Sequence, residues 1–345
     1  MNISDGNIDH SYKKDPAYRR TTILFSTLFI IVIFLLFWFS RNQISINEPR
    51  TITLYCFSAM ESVMEKGLLP AFQQEWFKQN HERVEFITSF AGSGVITKQI
   101  MTRFPAEVAI LSSELDARRL VNAGIISTND WEVLHQKEKF CRSPIVIFVN
   151  THIQNPPLSF SEIDYETTKV IIPDPLTSGE GQLATLAIYG SLIRQGYTQK
   201  QAFSSTRNAL SRCWSNPSTS QAALEQFHAG MGDILLNFEA ASKSHTGLKE
   251  INMIYPKQTV MTEPVAISIT KNISVDQREI IEAFLSFLWS NTAQEILSEH
   301  GFLTKNTARR VEFAPAVDHD IFLLDSLGTA NDLNRELIDP LLTQQ

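Results

Sequence analysis

The sequence predicts an α/β protein of two lobes that follows an N-terminal transmembrane helix. The chain has 345 residues, more than one core usually covers, so about two domains of ~100–200 residues are expected. After residue 50, short β-rich segments alternate with amphipathic segments, which is the pattern of βα units around a sheet. Before them, residues 22–39 form an uncharged apolar run.

The apolar run 22–39 is close to the ~20 residues that span a bilayer as a helix. Basic residues precede it at Lys13, Lys14, Arg19 and Arg20, whereas only Arg41 follows it closely. The positive-inside rule therefore predicts a cytoplasmic segment 1–21, a transmembrane signal anchor 22–39 and a polar tether 40–50. The remainder is expected outside the inner membrane, in the periplasm or outside the cell.

A cleaved signal peptide is the alternative for the same segment. Its apolar region would normally span ~7–15 residues and end at a small-x-small cleavage site. The sequence after the run is Ser40-Arg41-Asn42-Gln43, which offers no such site. An uncleaved anchor is therefore the preferred prediction.

The elements after the tether are predicted from hydrophobic periodicity. Predicted strands cover 51–57, 84–89, 106–111, 144–149, 169–172, 233–236 and 264–270, and predicted helices cover 62–78, 94–103, 114–123, 179–195, 199–211, 219–229, 277–289 and 292–299. Proline-rich breaks near 150 and 262 indicate two crossings of the chain between lobes. Lobe I is then expected to contain 51–149 and 262–345, and lobe II 150–261.

Composition excludes several classes of function. The formal net charge is −7 and the pI is about 5.7, so no global positive field attracts nucleic acid. The three cysteines, Cys56, Cys141 and Cys213, are widely spaced and form no CxxC metal or redox motif. The sequence contains no HExxH or GxSxG motif. Neither a cofactor, a metal nor an enzymatic activity is therefore predicted.

Two helix starts have the composition of an anion site. Ala91-Gly92-Ser93-Gly94 and Thr177-Ser178-Gly179 each lead from a strand region into a predicted helix. The first N–H groups of a helix have no intrahelical partner and lie at the positive end of its dipole. Glycine allows close backbone approach, and a serine hydroxyl adds a donor. The alternative is that these residues are ordinary caps and turns.

Several segments, in this order, resemble the periplasmic sulfate- and thiosulfate-binding proteins. They are LYCFSAMES (54–62), SFAGSGVITKQI (89–100), AEVAILSSELD (106–116), SPIVIFV (143–149), VIIPDPLTSGEGQLATLAIYGS (170–191), GMGDILLNFEAA (230–241) and TEPVAISITKN (262–272). The resemblance covers nearly all of residues 51–345. It implies a periplasmic-binding-protein-like fold whose two lobes close on a small ligand, possibly an oxyanion, and deliver it to an ABC permease.

The resemblance also implies which residues bind the ligand. Ser93 and the Ser178-Gly179 amides correspond to oxyanion contacts, and Ser58 and Gly94 lie at the matching helix starts. Two further site residues, Glu180 and Phe238, depart from the family pattern, which has a glycine and a tryptophan there. A third departure is Met60, where an aspartate is expected. These departures predict weak or altered sulfate binding.

A second interpretation of Glu180 is a capping box. Thr177-Ser178-Gly179-Glu180 fits T-x-x-E, and Ser58-Ala59-Met60-Glu61 fits S-x-x-E at the other helix start. At the level of function, the main hypothesis is a solute-binding subunit of an importer. The alternative is a membrane-anchored sensor or accessory domain that uses the same fold with altered or lost anion binding.

Overall fold

The computed structural model describes residues 29–34, 49–135, 139–243, 251–305 and 319–342. The predicted anchor 22–39 lies outside the described residues except for 29–34, which are helical and expose their apolar side chains. Within these ranges, no helix combines the length and apolar character needed to cross a membrane. The chain separates into two compact units, residues 1–48 and 49–345, and the following description concerns the second.

The first sheet has four strands in the order β2-β1-β3-β9. They are β1 (Arg50–Phe57), β2 (Val84–Ala91), β3 (Val108–Leu111) and β9 (Val265–Ser268). The first three are parallel, and β9 runs antiparallel to β3. The carboxyl ends of β1, β2 and β3 therefore lie at one edge of this sheet, directly before Ser58, Gly92 and Ser112.

The second sheet has six strands, in the order β10-β8-β4-β6-β5, with β7 pairing with β4. They are β4 (Ser143–Asn150), β5 (Val170–Ile171), β6 (Ile234–Phe238), β7 (Ile251–Ile254), β8 (Gln258–Thr262) and β10 (Asp320–Phe322). Strand β4 is antiparallel to β6, β7 and β8. The second sheet thus contains β10, whose residues the sequence analysis places in lobe I.

The place where the chain first passes between the sheets differs from the prediction. Residues 143–149 are assigned to lobe I from the sequence, but β4 pairs with three strands of the second sheet. The chain therefore crosses before Ser143, and the proline-rich break at 155–157 lies in a loop after β4. A strongly apolar strand followed by prolines indicates the end of an element, but it does not indicate which sheet the strand joins.

Helices cover both sheets, and most of them match the predicted segments within two residues. They are α1 (Glu61–Val63), α2 (Leu69–Asn80), α3 (Ser93–Met101), α4 (Glu114–Asn122), α5 (Thr128–His135), α6 (Gly179–Arg194), α7 (Gln199–Ser211), α8 (Ser220–His228), α9 (Arg278–Phe287), α10 (Asn291–Glu299), α11 (Ala330–Asp332) and α12 (Asp339–Leu342). A π-helical segment, Met64–Leu68, joins α1 to α2, and another, Leu333–Ile338, joins α11 to α12.

The C-terminal segment contacts both lobes. Strand β10 pairs with β8 of the second sheet. The helical segment after it contacts α4, which belongs to the first lobe: the Asn334 side chain donates to the Leu115 carbonyl at 2.9 Å, and Arg119 pairs with Asp339 at 2.7 Å. The end of the chain thus joins the two lobes a further time.

Candidate functional site

The described helix starts place serine side chains around one buried point. Ser58 follows β1, Ser93 follows the turn after β2, Ser112 follows β3, and Ser178 is the N-cap of α6. All four are buried. The backbone N–H of Ser112 donates to the Ser93 hydroxyl oxygen at 3.1 Å. Since α6 belongs to the second lobe, the two lobes meet at this point.

Gly179 allows this close approach. A Cβ at Gly179 would lie 1.8 Å from Ser112 Oγ and 2.9 Å from Ser93 Cβ. Any side chain at this position would therefore separate α6 from the serines of the first lobe. The structure brings together Ser93, Ser178 and Gly179, which the sequence analysis named, and adds Ser112 between them.

The same approach continues at the start of α3. The backbone N–H of Val95 donates to the Thr177 carbonyl at 3.3 Å. A Cβ at Gly92 would lie 2.2 Å from that carbonyl oxygen, and one at Gly94 would lie 3.1 Å from the Leu176 carbonyl oxygen. Gly94, another predicted site residue, thus packs against the loop that precedes α6. The lobes are in direct backbone contact here.

Glu180 is buried in the middle of this junction, with no solvent exposure. Its Oε2 accepts the Ser178 hydroxyl at 2.7 Å, and Ser178 Oγ itself accepts the Gly181 N–H at 3.3 Å. At Oε1 no donor among the described residues reaches hydrogen-bonding geometry. Burial raises the pKa of Glu180 from 4.5 to about 7, although the Ser178 hydroxyl and the nearby N–H groups of Glu180 and Ala59 lower it. The charge of Asp116 adds to the increase.

Neither predicted capping box forms. The Thr177 hydroxyl donates to the Ser218 carbonyl at 2.9 Å, and Ser178 is the residue that caps α6. Glu180 therefore hydrogen-bonds to the cap residue's own hydroxyl instead of reaching back to the N–H of Thr177. At the other helix start, the Ser58 hydroxyl has no hydrogen-bond partner among the described residues. The Ser58 oxygen therefore accepts no N–H of this helix start, as a cap would.

Asp116 and Gln182 complete the junction and were not named from the sequence. Asp116 lies in the first turn of α4 and is fully buried, and Gln182 lies in the first turn of α6. Burial raises the pKa of Asp116, while the Ser93 hydroxyl, the Arg119 charge and the Gln182 side chain lower it. The one local signal for Asp116 is an acidic residue in the helix turn after Ser112-Ser113, which is common at helix starts and does not by itself indicate a site.

Phe238 lies in the hydrophobic core and not among the polar groups of the junction. Its side chain has no solvent exposure and packs edge-to-face on Phe57, with ring centroids 6.2 Å apart. Phe57 ends β1 and Phe238 ends β6, so the pair joins the two sheets directly below Ser58. The structure places this side chain in the core, and the ligand contact expected from the sequence stays a prediction.

A cavity of about 290 Å³ lies next to the junction. Asp116, Gln182, Gly94 and Lys98 are among the residues that line it. It lies between the starts of α3, α4 and α6, so a bound molecule would face helix N-termini from both lobes. The buried serines and Glu180 do not line this cavity themselves but lie behind it, in the junction that Gly94, Asp116 and Gln182 border.

The family model described as bacterial extracellular solute-binding protein matches residues 52–303. A sulfate-binding protein of Synechocystis sp. is 27% identical over 273 residues, which are 78% of this chain and 77% of the relative. A thiosulfate-binding protein of Pseudomonas aeruginosa is 24% identical over 258 residues, 72% of this chain and 78% of the relative. These matches confirm the resemblance found in the sequence, and relatives named for binding agree with the absence of a predicted enzymatic activity.

Solved structures confirm the two-lobed fold. The sulfate-binding protein SubI from Mycobacterium tuberculosis superposes with a TM-score of 0.71 at 24% identity, over 84% of this chain and 99% of that one. Iron-bound HitA from Pseudomonas aeruginosa superposes with a TM-score of 0.61 at 17% identity, over 86% of this chain and 99% of that one. Because one of these proteins is named for sulfate binding and the other holds iron, the fold alone does not determine what is bound.

Proposed function

The chain belongs to the bacterial extracellular solute-binding proteins, and on this basis we propose that it captures a small oxyanion of the sulfate or thiosulfate class and delivers it to an ABC permease. The relatives named for sulfate and thiosulfate binding support the ligand class. Their names do not support the sensor alternative.

One observation carries the proposal: the starts of α3 and α6 come from different lobes and meet at a cluster of buried serines. The Gly179 backbone is in contact with both Ser93 and Ser112. The Ser58 and Ser112 hydroxyls have no hydrogen-bond partners among the described residues. Buried hydroxyls normally find a partner, and a desolvated oxyanion supplies one. Ser58, Ser93, Gly94, Ser178, Gly179 and Glu180 are therefore proposed as the residues around the ligand.

The lobes proposed to close on the ligand are those that carry the two sheets. This division keeps the second boundary near residue 262 and moves the first boundary from 149 to a position before Ser143. Phe238 supports the site from below, where its ring packs on Phe57. A cleft between lobes excludes water from a small ion only when it closes, so ligand binding is coupled to a hinge motion.

The anchor is a further part of the proposal. The apolar run 22–39 and the basic residues before it support a single transmembrane helix, with the lobes in the periplasm or outside the cell. An anchored receptor stays close to a permease in the same membrane, which raises its effective concentration there. N-terminal sequencing of the mature protein tests the anchor, since a start near residue 41 would show that the segment is cleaved.

Calorimetry of the full-length chain with sulfate, thiosulfate, molybdate and phosphate tests the ligand class. We expect binding of at least one of these anions, with sulfate weaker than micromolar because Glu180 places a carboxylate at the site. Failure of all four anions to bind at millimolar concentration, both to the protein and to its Glu180→Gln variant, would overturn the proposed function.

A further inference from the structure

The junction between the lobes contains acceptors that capture of a fully ionised anion does not use. Glu180 and Asp116 are both completely buried, and the charge of Asp116 raises the cost of ionising Glu180. A sulfate ion offers only acceptor oxygens, so it would add a third negative group that accepts hydrogen bonds. Two buried carboxylates are therefore costly in a site for a dianion unless protons accompany the ligand.

The two carboxyl groups lie at helix starts that come from different lobes of the junction. Glu180 lies in the first turn of α6 and Asp116 in the first turn of α4. The Ser178 hydroxyl donates to Glu180 at 2.7 Å, which leaves Oε1 of Glu180 without a donor in the described part of the chain. Asp116 borders the cavity of about 290 Å³.

The charges of Arg119 and Lys98 lower the pKa of Asp116, but neither side chain hydrogen-bonds to its carboxylate oxygens. Lys98 is exposed, and its Nζ lies 3.5 Å from the Leu176 carbonyl. Arg119 pairs with Asp339 at 2.7 Å, at the surface side of the cavity. The nearby titratable groups on the side of β1 are Cys56 and, beyond it, Glu61. Both become negative when they ionise, so neither can neutralise a carboxylate. The buried thiol of Cys141 also lies on that side.

We infer that Glu180 and Asp116 make the cleft selective for an oxyanion that carries a proton and donates it in a hydrogen bond to a carboxylate. This inference rests on the proposed capture of a small oxyanion, and it narrows the ligand from the sulfate and thiosulfate class to an oxyanion that keeps a proton. The Ser58 and Ser112 hydroxyls and the N–H groups at the helix starts donate to the anion's bare oxygens, and Oε1 of Glu180 accepts its O–H group. A site built with both donors and acceptors rejects a ligand that lacks the matching donor.

Sulfate and hydrogen phosphate form a matched pair of probes. They have the same charge and nearly the same tetrahedral shape, but only hydrogen phosphate has an O–H donor. At about pH 8, we expect the full-length chain to bind phosphate about 100-fold more tightly than sulfate. Sulfate can bind only with a proton on Glu180, so its affinity is expected to fall about tenfold per pH unit above pH 7.

Two isosteric variants locate the effect. Glu180→Gln removes the charge and adds an N–H donor, so sulfate should bind at least ~10-fold more tightly and lose its pH dependence. Glu107→Gln is the matched control: its carboxylate accepts the Thr53 N–H at 2.8 Å at the start of β3, opposite the Ser112 end. This control should leave both affinities unchanged. Calorimetry in buffers of different ionisation enthalpy should show proton uptake with sulfate in the wild type and none in Glu180→Gln.

Three results would overturn the inferred selectivity for a protonated oxyanion. Sulfate binding by the wild type that is as tight as phosphate binding at about pH 8, and independent of pH, overturns the inference while the proposed function stands. An unchanged selectivity ratio in a folded Glu180→Gln variant, checked by thermal unfolding, also overturns it. Should that variant not fold, the wild-type pH profile and proton uptake alone decide. Absence of binding by all four anions overturns the proposed function and this inference together.

Discussion

At the scale of single residues, the site depends on glycines, whose lack of a side chain lets the two lobes approach each other. Gly179 has no Cβ, and this allows the start of α6 to touch Ser112 and Ser93. A sequence shows such glycines as turn residues, but it does not show which residues they come into contact with. Ser93, Ser178 and Gly179 were predictable because a strand, a small residue and a helix followed one another.

Asp116 and Gln182 were not predictable from local patterns. Each occupies an ordinary helix position, and only the meeting of two lobes turns them towards the same cavity. Phe238 shows the opposite case, because its place in the chain was predicted correctly but its ring joins the core. An aromatic side chain without a polar atom gains free energy from packing and has no reason to face a polar site.

Gly179→Ala is expected to separate the lobes and weaken oxyanion binding by more than ~100-fold, because its Cβ would overlap Ser112 Oγ. Gly94→Ala is the graded comparison, since its Cβ would lie at 3.1 Å or more from its neighbours and small shifts relieve the contact. Calorimetry with the tightest-binding anion measures both. Equal losses in the two variants would contradict this account of Gly179.

The buried Glu180 should make stability depend on pH. Its pKa is 4.5 in the unfolded chain and about 7 in the fold, so folding favours the protonated form. This contribution is complete below about pH 4.5 and is lost as the pH rises through about 7, a change of roughly 3 kcal/mol. Urea unfolding should show wild-type stability falling across this range.

The Glu180→Gln variant should show a flatter profile over the same pH range, with the remaining slope due to Asp116, whose pKa is also raised. Glu107→Gln should keep the wild-type slope. A wild-type protein that became more stable as the pH rose from about 5 to about 7 would show that Glu180 is ionised in the fold at little cost.

At the scale of elements, most strands and helices were predictable from periodicity because they are long and strongly patterned. Strands β7 and β8 were not predicted. Strand β7 is only partly buried, and β8 reads QTVMT, where polar residues interrupt the apolar pattern. Strand β4 pairs with these two strands and also with β6, which was predicted. The lobe boundary was misplaced because the sequence of an apolar strand does not show which strands it pairs with.

The start of α6 is the element on which the site depends most. Ser178→Ala removes the cap that accepts the Gly181 N–H and the donor to Glu180, so we expect a loss of about 1–3 kcal/mol in the free energy of unfolding together with weaker anion binding. Thr198→Ala removes the capping box of α7 and should cost about 1 kcal/mol without changing affinity. Unfolding and calorimetry on both variants separate the two effects. Unaltered affinity in Ser178→Ala would remove Ser178 from the site.

At the scale of the whole molecule, the two sheets close on each other through backbone contacts around Gly92 and Thr177. The two-lobed fold was predictable from the alternation of elements and from the resemblance. The closeness of the lobes was not, since it depends on the loop before α6 meeting the start of α3. The Phe57–Phe238 pair then continues the core from one sheet to the other.

Gly92→Ala should act as a wedge between the lobes. Its Cβ would lie 2.2 Å from the Thr177 carbonyl oxygen, a backbone atom that cannot rotate away. Solution scattering of the wild type should show a smaller radius of gyration with a saturating anion than without it. In Gly92→Ala the radius should remain large in both conditions, with circular dichroism unchanged. If the radius of gyration decreases in the variant as much as in the wild type, the added Cβ does not keep the lobes apart.

The C-terminal segment limits what kind of receptor this molecule can be. Strand β10 pairs with one lobe, and Asn334 and Asp339 bind the other. The C-terminal segment is therefore a short connection between the lobes, in addition to the other crossings of the chain. Two lobes joined in this way have few relative degrees of freedom, so we expect their opening motion to cover a small range of orientations. The conformational entropy gained on opening is then small, and so is the conformational entropy lost on closing. Such a molecule is expected to move over a short range between its open and closed forms.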